Sequence, residues 1–187
     1  ISDVNKDSEK IDLKGYIAIP GIVDMKAFVG EPGFEYKENF RTLSQAALAG
    51  GVTSIVTMPN TKPIIDNVSM VDFIIRRGRD KAKVNLFPCA SITRKIEGNQ
   101  MTEFGLLKAR GIIGFSDVTK TIQNAELMSR VMNYASDLDV LIMQHAEDYE
   151  LSKNASINEG EIATRLGLQG VSDLAEKIII ERDLSLL

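Results

Sequence analysis

Histidine and cysteine are nearly absent from this chain of 187 residues, which has one of each, His145 and Cys89. A single cysteine excludes a disulfide framework and a cysteine-based structural zinc site. A single histidine leaves no histidine pair for zinc, and any Ser-His-Asp or Cys-His catalytic arrangement would have to use His145. The net charge of −4 argues against broad binding of nucleic acid or of an anionic membrane, since both require a basic face.

Long hydrophobic runs and targeting signals are also lacking. The apolar runs fall far short of the roughly 20 residues that span a bilayer. Residues 1–9 are polar and acidic, without the basic start and apolar centre of a secretory signal. We therefore expect a cytoplasmic protein, and the lone thiol agrees with a reducing compartment. The apolar fraction of 44% and the charged fraction of 26% are typical of one globular domain.

Short apolar runs rich in branched side chains recur at regular intervals along the chain. They occupy residues 22–25, 53–58, 84–87, 111–115 and 140–143. Nearly continuous hydrophobicity in such runs predicts strands that are buried on both faces. The segments between them have helical spacing, with one helix ending at Gly50-Gly51, another opening at Asn124 and a last one capped by Ser172-Asp173. This alternation predicts a parallel sheet with crossover helices.

Polar residues follow the predicted strands at Asp24, Asn60, Asp117 and His145. Such residues at the carboxyl ends of successive strands are typical of a (β/α)8 barrel, which is the predicted fold. No glycine-rich dinucleotide fingerprint follows the first strand, so an open doubly wound sheet is the second interpretation.

Only five strand–helix units are visible, whereas a closed barrel of this type has eight. We therefore expect residues 20–187 to be the N-terminal part of a barrel that is truncated or completed by another chain. Residues 1–19 are expected to be the edge of a small β appendage.

Several sequence blocks resemble, in the expected order, the dihydroorotases of the amidohydrolase superfamily. They are 20–25 (PGIVDM), 31–38 (EPGFEYKE), 49–53 (AGGVT), 58–63 (MPNTKP), 114–117 (GFSD), 144–148 (QHAED), 158–161 (NEGE) and 164–168 (TRLGL). The match is to the metal-dependent type that assembles with aspartate transcarbamoylase. The resemblance implies a (β/α)8 barrel and the reversible cyclisation of carbamoyl aspartate to dihydroorotate, with a zinc-bound hydroxide attacking the ring amide.

The chain departs from the signature that this resemblance implies on the first strand, Asp-x-His-x-His-x-Arg. Lys26 and Phe28 stand where two metal-binding histidines are expected, and Gly30 replaces an arginine that binds the substrate carboxylate. Asp117 is followed by Val118 where the family has a second acidic residue. His145 retains a metal-ligand position.

Asn60 retains a substrate-contact position, although closing a strand-to-helix turn explains it as well.

Simpler structural roles compete with each functional one. His145 is expected to hydrogen-bond a neighbour, Asp117 to be a helix cap or loop carboxylate, and Lys26 to form an ion pair with Asp24, Glu31 or Asp117. Cys89 is expected to be a small buried hydrophobe. The basic run at residues 76–81 is expected to be a solvated helix end.

The sequence thus predicts a dihydroorotase-like protein with a degenerate metal site, without a cofactor and without catalytic residues. Its expected role is that of a scaffold for aspartate transcarbamoylase or within a homo-oligomer. The alternative is an active zinc-dependent dihydroorotase that uses His145, Asp117 and ligands outside these residues.

Overall fold

A computed structural model describes residues 11–187 and contains a five-stranded, fully parallel sheet with strands in sequence order. The strands are β1 (Ile22–Ala27), β2 (Val52–Thr57), β3 (Asn85–Ala90), β4 (Gly114–Phe115) and β5 (Leu141–Ile142). Each strand pairs with the next, as in Val56 opposite Phe87 between β2 and β3. This order confirms the prediction of a partial (β/α)8 barrel, because a doubly wound sheet would reverse its strand order.

Helices follow the strands. They are α1 (Phe40–Ala49), α2 (Val68–Lys81), α3 (Phe104–Ala109), α4 (Ala125–Leu138), α5 (Tyr149–Ser152), α6 (Glu161–Leu166) and α7 (Leu174–Leu186), with one 3-10 turn at Arg94–Ile96. Asparagine side chains cap three of the N-termini, since Asn39, Asn67 and Asn124 accept hydrogen bonds from backbone N–H groups of the first turn. The predicted opening of α4 at Asn124 and the end of α1 at Gly50 are both confirmed.

The cap of α7 differs from the expectation. The Asp173 side chain makes no cap hydrogen bond and instead forms an ion pair with Lys177, one turn along the helix. Ser172 Oγ accepts a long hydrogen bond of 3.4 Å from Leu174 N. The Asp173 carboxylate therefore pairs with a side chain of its own helix and not with a backbone N–H group. The residue types at the helix start do not distinguish these two roles.

Buried apolar side chains of residues 11–187 form two clusters. The larger one contains Ile74 of α2, Phe115 of β4 and Val131 of α4, so it joins the sheet to its outer helices. The smaller one contains Val56, Met58, Cys89, Ile96 and Val118. Cys89 and Ala90 are neighbours in β3 but belong to different clusters, because successive side chains of a strand point to opposite faces.

Cys89 is fully buried, as expected, and this burial raises the pKa of its thiol.

Two strands were missed at the sequence level. β6 (Ile157–Asn158) and β7 (Gly170–Val171) form a separate parallel pair of two-residue strands, too short to show any hydrophobic period. Gly170 permits the pairing, because a Cβ at that position would lie 2.5 Å from the Glu159 Cα atom.

The predicted β appendage falls partly outside the described residues, since residues 1–10 are not among them. Residues 11–19 contain a turn, closed by a 2.9 Å hydrogen bond from Tyr16 N to Leu13 O, and no strand. The appendage therefore stays a prediction. Over residues 11–187, no helix has the length and apolar character needed to cross a membrane.

Candidate functional site

The loops that follow β2, β3 and β4 enclose a cleft of about 810 Å³ at the carboxyl ends of these strands. We call it the mouth cleft. It is lined by Phe34, Asn60, Thr61, Lys62, Pro63, Ile64, Asp66, Lys95, Ile96, Asp117, Val118, Thr119 and Lys120. The carboxyl ends of barrel strands are where this fold builds its binding sites, and Asn60 and Asp117, which the sequence placed at strand ends, both line this cleft.

Asp117 is a buried loop carboxylate and not a helix cap, since α4 begins at Asn124. It accepts a 3.0 Å hydrogen bond from Thr93 N and a second one from Thr93 Oγ1. Burial raises the pKa of Asp117, and the two Thr93 hydrogen bonds oppose that effect only in part. Both carboxylate oxygens are thus already engaged within the protein.

Left-handed backbone conformations occur on both sides of the mouth cleft. Lys95 and Ile96 have φ values of 54° and 56°, and Val118 has a φ value of 66°. This region disfavours β-branched side chains, by about 1–2 kcal/mol per residue, so Ile96 and Val118 are strained. Hydrogen bonds hold them in place: Val118 N donates to Ser116 Oγ at 3.0 Å, and Lys120 Nζ donates to Ile96 O at 3.0 Å. Backbone strain of this type concentrates at functional sites.

His145 lies in a second cleft, of about 740 Å³, whose lining includes Glu147 and Glu159 but not Asp117. Its Nε2 atom is 2.8 Å from Glu147 Oε2, in agreement with the expectation that it hydrogen-bonds a neighbour. Hydrogen bonds from Ser152 and then from His145 lower the pKa of the Glu147 carboxyl. His145 and Asp117, on which the alternative catalytic interpretation depended, therefore line different clefts.

Lys26 does not form the expected ion pair within the described part of the chain. Its side chain is exposed, and only its backbone N–H contacts Asp24, at 2.9 Å from Oδ1. The ion pairs among residues 11–187 do not include Lys26, because Glu31 pairs with Arg77 and Asp117 is held by Thr93. That expectation was wrong.

The basic run at residues 76–81 is also more than a solvated helix end. Arg77 Nε donates to Glu31, whose side chain is 4% exposed and whose Oε2 also accepts a 3.1 Å hydrogen bond from Phe40 N. The basic run still stabilises the C-terminus of α2, because the positive charges of Arg79 and Lys81 lie in its last turn, at the negative end of the helix dipole. The signal that sequence reasoning missed was Glu31, an acidic residue in an otherwise apolar and glycine-rich stretch.

Gly30 is enclosed by its own loop. A Cβ at this position would lie 2.2 Å from Phe34 O and 2.6 Å from Glu38 O, both of them backbone atoms. Phe34 N donates a 2.6 Å hydrogen bond to Gly30 O, which draws the loop tightly around the glycine. Any side chain at residue 30 therefore requires a rearrangement of residues 30–38. Phe28, two residues earlier, leaves 47% of its surface exposed.

A zinc ion is the metal that the sequence resemblance implies, and the residues present do not fit it. A catalytic zinc site needs three protein ligands, usually from histidine, cysteine, aspartate or glutamate. Across residues 11–187, no three such side chains are grouped closely enough to share a metal ion. Asp117 and His145, the two candidate ligands that the sequence retains, line different clefts.

The arrangement of strands and clefts is that of a partial (β/α)8 barrel, and residues 11–187 supply no shared set of metal ligands at its mouth. The fold resembles that of L-hydantoinase (dihydropyrimidinase) from Arthrobacter aurescens, with a TM-score of 0.76, 18% identity, and coverage of 99% of this chain and 42% of that one. It also resembles dihydroorotase from Saccharomyces cerevisiae in complex with 5-fluoroorotic acid, with a TM-score of 0.60, 14% identity, and coverage of 89% and 44%.

The chain belongs to the Dihydro-orotase-like family, whose model matches residues 15–187. It is 46% identical over 186 residues to a dihydroorotase of Syntrophus aciditrophicus, covering 100% of this chain and 44% of that protein. It is 43% identical over 178 residues to a dihydroorotase of Pelobacter propionicus, covering 95% and 42%. The chain thus spans less than half the length of these relatives.

Proposed function

We propose that this chain is a non-catalytic member of its family that serves pyrimidine biosynthesis as a scaffold partner of aspartate transcarbamoylase. The main support for the loss of catalysis is the tight packing of the loop around Gly30, where two backbone oxygens occupy the space that a Cβ atom would need. The sequence resemblance implies an arginine at this position that holds the substrate carboxylate as a bidentate fork. With glycine at position 30 and the loop packed against it, this contact is lost.

The first strand supports the same proposal through its chemistry. A protonated ammonium has no lone pair for a metal and a phenyl ring has no donor atom, so Lys26 and Phe28 cannot replace two imidazoles. Val118 stands at the position of a second acidic residue, and the buried carboxyl of Asp117 is engaged by Thr93. The proposal therefore includes no metal cofactor.

The scaffold role is supported by the outer surface of the barrel, which does not depend on the strand ends. Large apolar side chains are exposed on the helices, including Phe73 of α2 (40%), Leu106 of α3 (61%) and Tyr134 of α4 (55%). Side chains of this kind are enriched where one protein covers another. We propose aspartate transcarbamoylase as the occupant, with self-association as the second arrangement, and a cytoplasmic location for the assembly.

The competing function is an active zinc-dependent dihydroorotase. It is favoured by one finding, the 46% identity to a relative named dihydroorotase. That function would require metal ligands contributed from outside the described residues, in addition to His145 and Asp117.

Measurements of metal content, turnover and association on the purified protein discriminate between the two. We expect substoichiometric zinc, and no cyclisation of carbamoyl aspartate above a metal-free control when zinc or manganese is added. We expect the protein to co-purify with aspartate transcarbamoylase and to raise the partner's thermal stability. Turnover by the unmodified protein would overturn the loss of catalysis, and absence of co-purification would overturn the scaffold role.

A further inference from the structure

A groove lies beside the amino ends of β2 and β3, at the end of the sheet opposite the mouth cleft. We call it the amino-end groove, and its volume is about 660 Å³. Leu48 of α1, Ile75 of α2 and Leu86 of β3 give it an apolar lining, and the first two of these side chains are exposed. The groove therefore offers apolar surface that residues 11–187 leave uncovered.

The charge of the amino-end groove is positive. Arg79 and Lys83 line it, and no aspartate or glutamate is among the described residues that do. Arg79 pairs with Asp80 at 3.3 Å, but both side chains are mostly exposed, and a surface pair of this kind contributes little. Lys83 takes part in no ion pair among residues 11–187. Because the whole chain has a net charge of −4, this positive groove is a local feature that favours an acidic partner surface.

The helix α7 carries apolar side chains on two different faces. Ala175 and Ile179 are buried, on the side where α7 contacts α4 and α5. Ile180, Leu184 and Leu187 follow one another at the i, i+4 and i+7 spacing of a helical stripe, and they are 41%, 65% and 88% exposed. We call these three residues the α7 stripe. A helix that is apolar on all sides is typically a covered helix, so the stripe is a surface without its partner in the described chain.

Exposed carboxylates flank the α7 stripe. Glu176 lies one turn before Ile180, and Glu181 is its neighbour in the sequence. Neither glutamate takes part in an ion pair among the described residues, and the nearby Lys177 is already paired with Asp173. The stripe therefore combines apolar side chains with negative charge, which is the complement of the amino-end groove.

We propose that the amino-end groove of one copy of this chain binds the α7 stripe of a second copy. The stripe side chains pack against the apolar lining, and the flanking carboxylates lie beside Arg79 and Lys83. This is the mode in which an amphipathic helix lays residues at i, i+4 and i+7 into an apolar groove. Two copies are needed, because the α7 of each chain is held on its own α4 and α5, whereas the groove lies between α1 and α2.

The contact joins two different surfaces and is therefore heterologous. It gives either a closed ring of copies or an open chain, depending on the rotation between neighbours. The contact goes beyond the proposed function, because it requires neither the loss of catalysis nor aspartate transcarbamoylase.

Sedimentation velocity of the purified chain, over about a hundredfold range of concentration, tests whether copies associate. We expect the weight-average sedimentation coefficient to rise above that of a monomer as the concentration increases. A chain that stays monomeric throughout would overturn the proposal.

Two variants test which surfaces meet. Arg79→Glu/Lys83→Glu alters the groove, and Leu184→Glu/Leu187→Glu alters the stripe. Each variant alone should associate about tenfold or more weakly than the unmodified chain. An equimolar mixture should form a complex of one copy of each, because the intact stripe of the first variant meets the intact groove of the second. Growth stops there, since the two altered surfaces are both acidic and repel each other.

The matched controls make the same kinds of substitution elsewhere. Lys14→Glu/Arg165→Glu reverses two exposed charges, and Arg165, like Arg79, lies in the last turn of its helix. Ile162→Glu/Leu166→Glu replaces two exposed apolar side chains of α6. Both controls should associate like the unmodified chain, and circular dichroism verifies that every variant is folded.

Equal weakening by the controls, or a mixture that associates no better than its two components, would overturn the pairing of groove and stripe. Failure of the proposed function has a different signature, namely turnover or absence of co-purification, and neither is read from the sedimentation of the purified chain alone.

Discussion

Glu31 and Arg77 form an ion pair in which the Glu31 side chain is 4% exposed and the Arg77 side chain 45% exposed. The pair joins the loop after β1 to α2, and the hydrogen bond from Phe40 N to Glu31 Oε2 joins the same loop to the start of α1. The Glu31 carboxylate raises the pKa of Arg77, so the guanidinium stays charged. One buried side chain therefore holds three segments together beside the enclosed Gly30.

Replacing Glu31 tests this connection. Glu31→Leu leaves Phe40 N without its acceptor and Arg77 without its partner, and should lower the free energy of unfolding by about 2–4 kcal/mol. Glu31→Gln retains an oxygen that accepts the hydrogen bond from Phe40 N, so it should lower the free energy of unfolding by less than Glu31→Leu does. Arg77→Met should have a smaller effect than Glu31→Leu, and the double variant should be less destabilised than the sum of the two. Urea denaturation measures the four variants and the unmodified protein, and additive effects of Glu31→Leu and Arg77→Met would show that the pair is not coupled.

Gly30→Ala tests whether position 30 is closed. The added Cβ meets two backbone oxygens, so we expect a loss of about 1–3 kcal/mol in the free energy of unfolding. Gly105→Ala is the matched control, because a Cβ at this position in α3 has nothing within 4 Å and should stabilise the helix by about 0.5–1 kcal/mol. Equal effects of the two substitutions would contradict the closure.

This closure also bears on the restoration of catalysis. Introducing the family residues at four positions, as Lys26→His, Phe28→His, Gly30→Arg and Val118→Asp, is the smallest change that follows from the sequence. We expect this variant to be destabilised relative to the same protein with Gly30 retained, as measured by its melting temperature. Turnover by the four-residue variant with added zinc would show that residues 30–38 can open.

Lys95→Asn tests the strain at the mouth cleft. Lys95 is exposed with a φ angle of 54°, a conformation that asparagine adopts more readily than lysine. Its N–H keeps the hydrogen bond to Asp66, so we expect a gain of about 0.5–1 kcal/mol in the free energy of unfolding. Lys81→Asn, in the last turn of α2, is the control and should be slightly destabilising, since asparagine disfavours a helix. A lower free energy of unfolding for Lys95→Asn would contradict the inference that the backbone at residue 95 is strained.

Asp117 should leave a signature in the pH dependence of stability. Its pKa in the folded protein is raised above the ordinary value of 3.8, so the folded state holds this proton more tightly than the unfolded state. The contribution of Asp117 is therefore most favourable below 3.8, and it is lost as the pH rises through the raised pKa. The Asp117→Asn variant has no carboxyl group at this position. The free energy of unfolding of the native protein minus that of the variant should therefore decrease as the pH rises through this window. Urea titrations at several pH values measure the difference, and a rising difference would mean that the pKa is lowered.

The strand order and the location of the mouth cleft followed from the sequence, because buried parallel strands appear as apolar runs and end in polar residues. The same reasoning placed Lys26 in an ion pair with one of three acidic residues, and the structure pairs Glu31 with Arg77 instead. These two residues are 46 positions apart in the chain. A pairing over this distance depends on how α2 packs against β3 and α1, which no local pattern encodes.

What the sequence determined by itself is therefore the periodic part of this protein: five parallel strands in order, the helices between them, and the replacement of three signature side chains at residues 26, 28 and 30. What only the tertiary structure decided is which polar groups meet. It placed His145 and Asp117 in different clefts, closed the loop around Gly30, and gathered Lys62, Lys95 and Lys120 at one mouth. The physical reason is that periodicity reports which face of an element is buried, whereas hydrogen bonds and ion pairs depend on distances of a few ångströms between segments far apart in the chain.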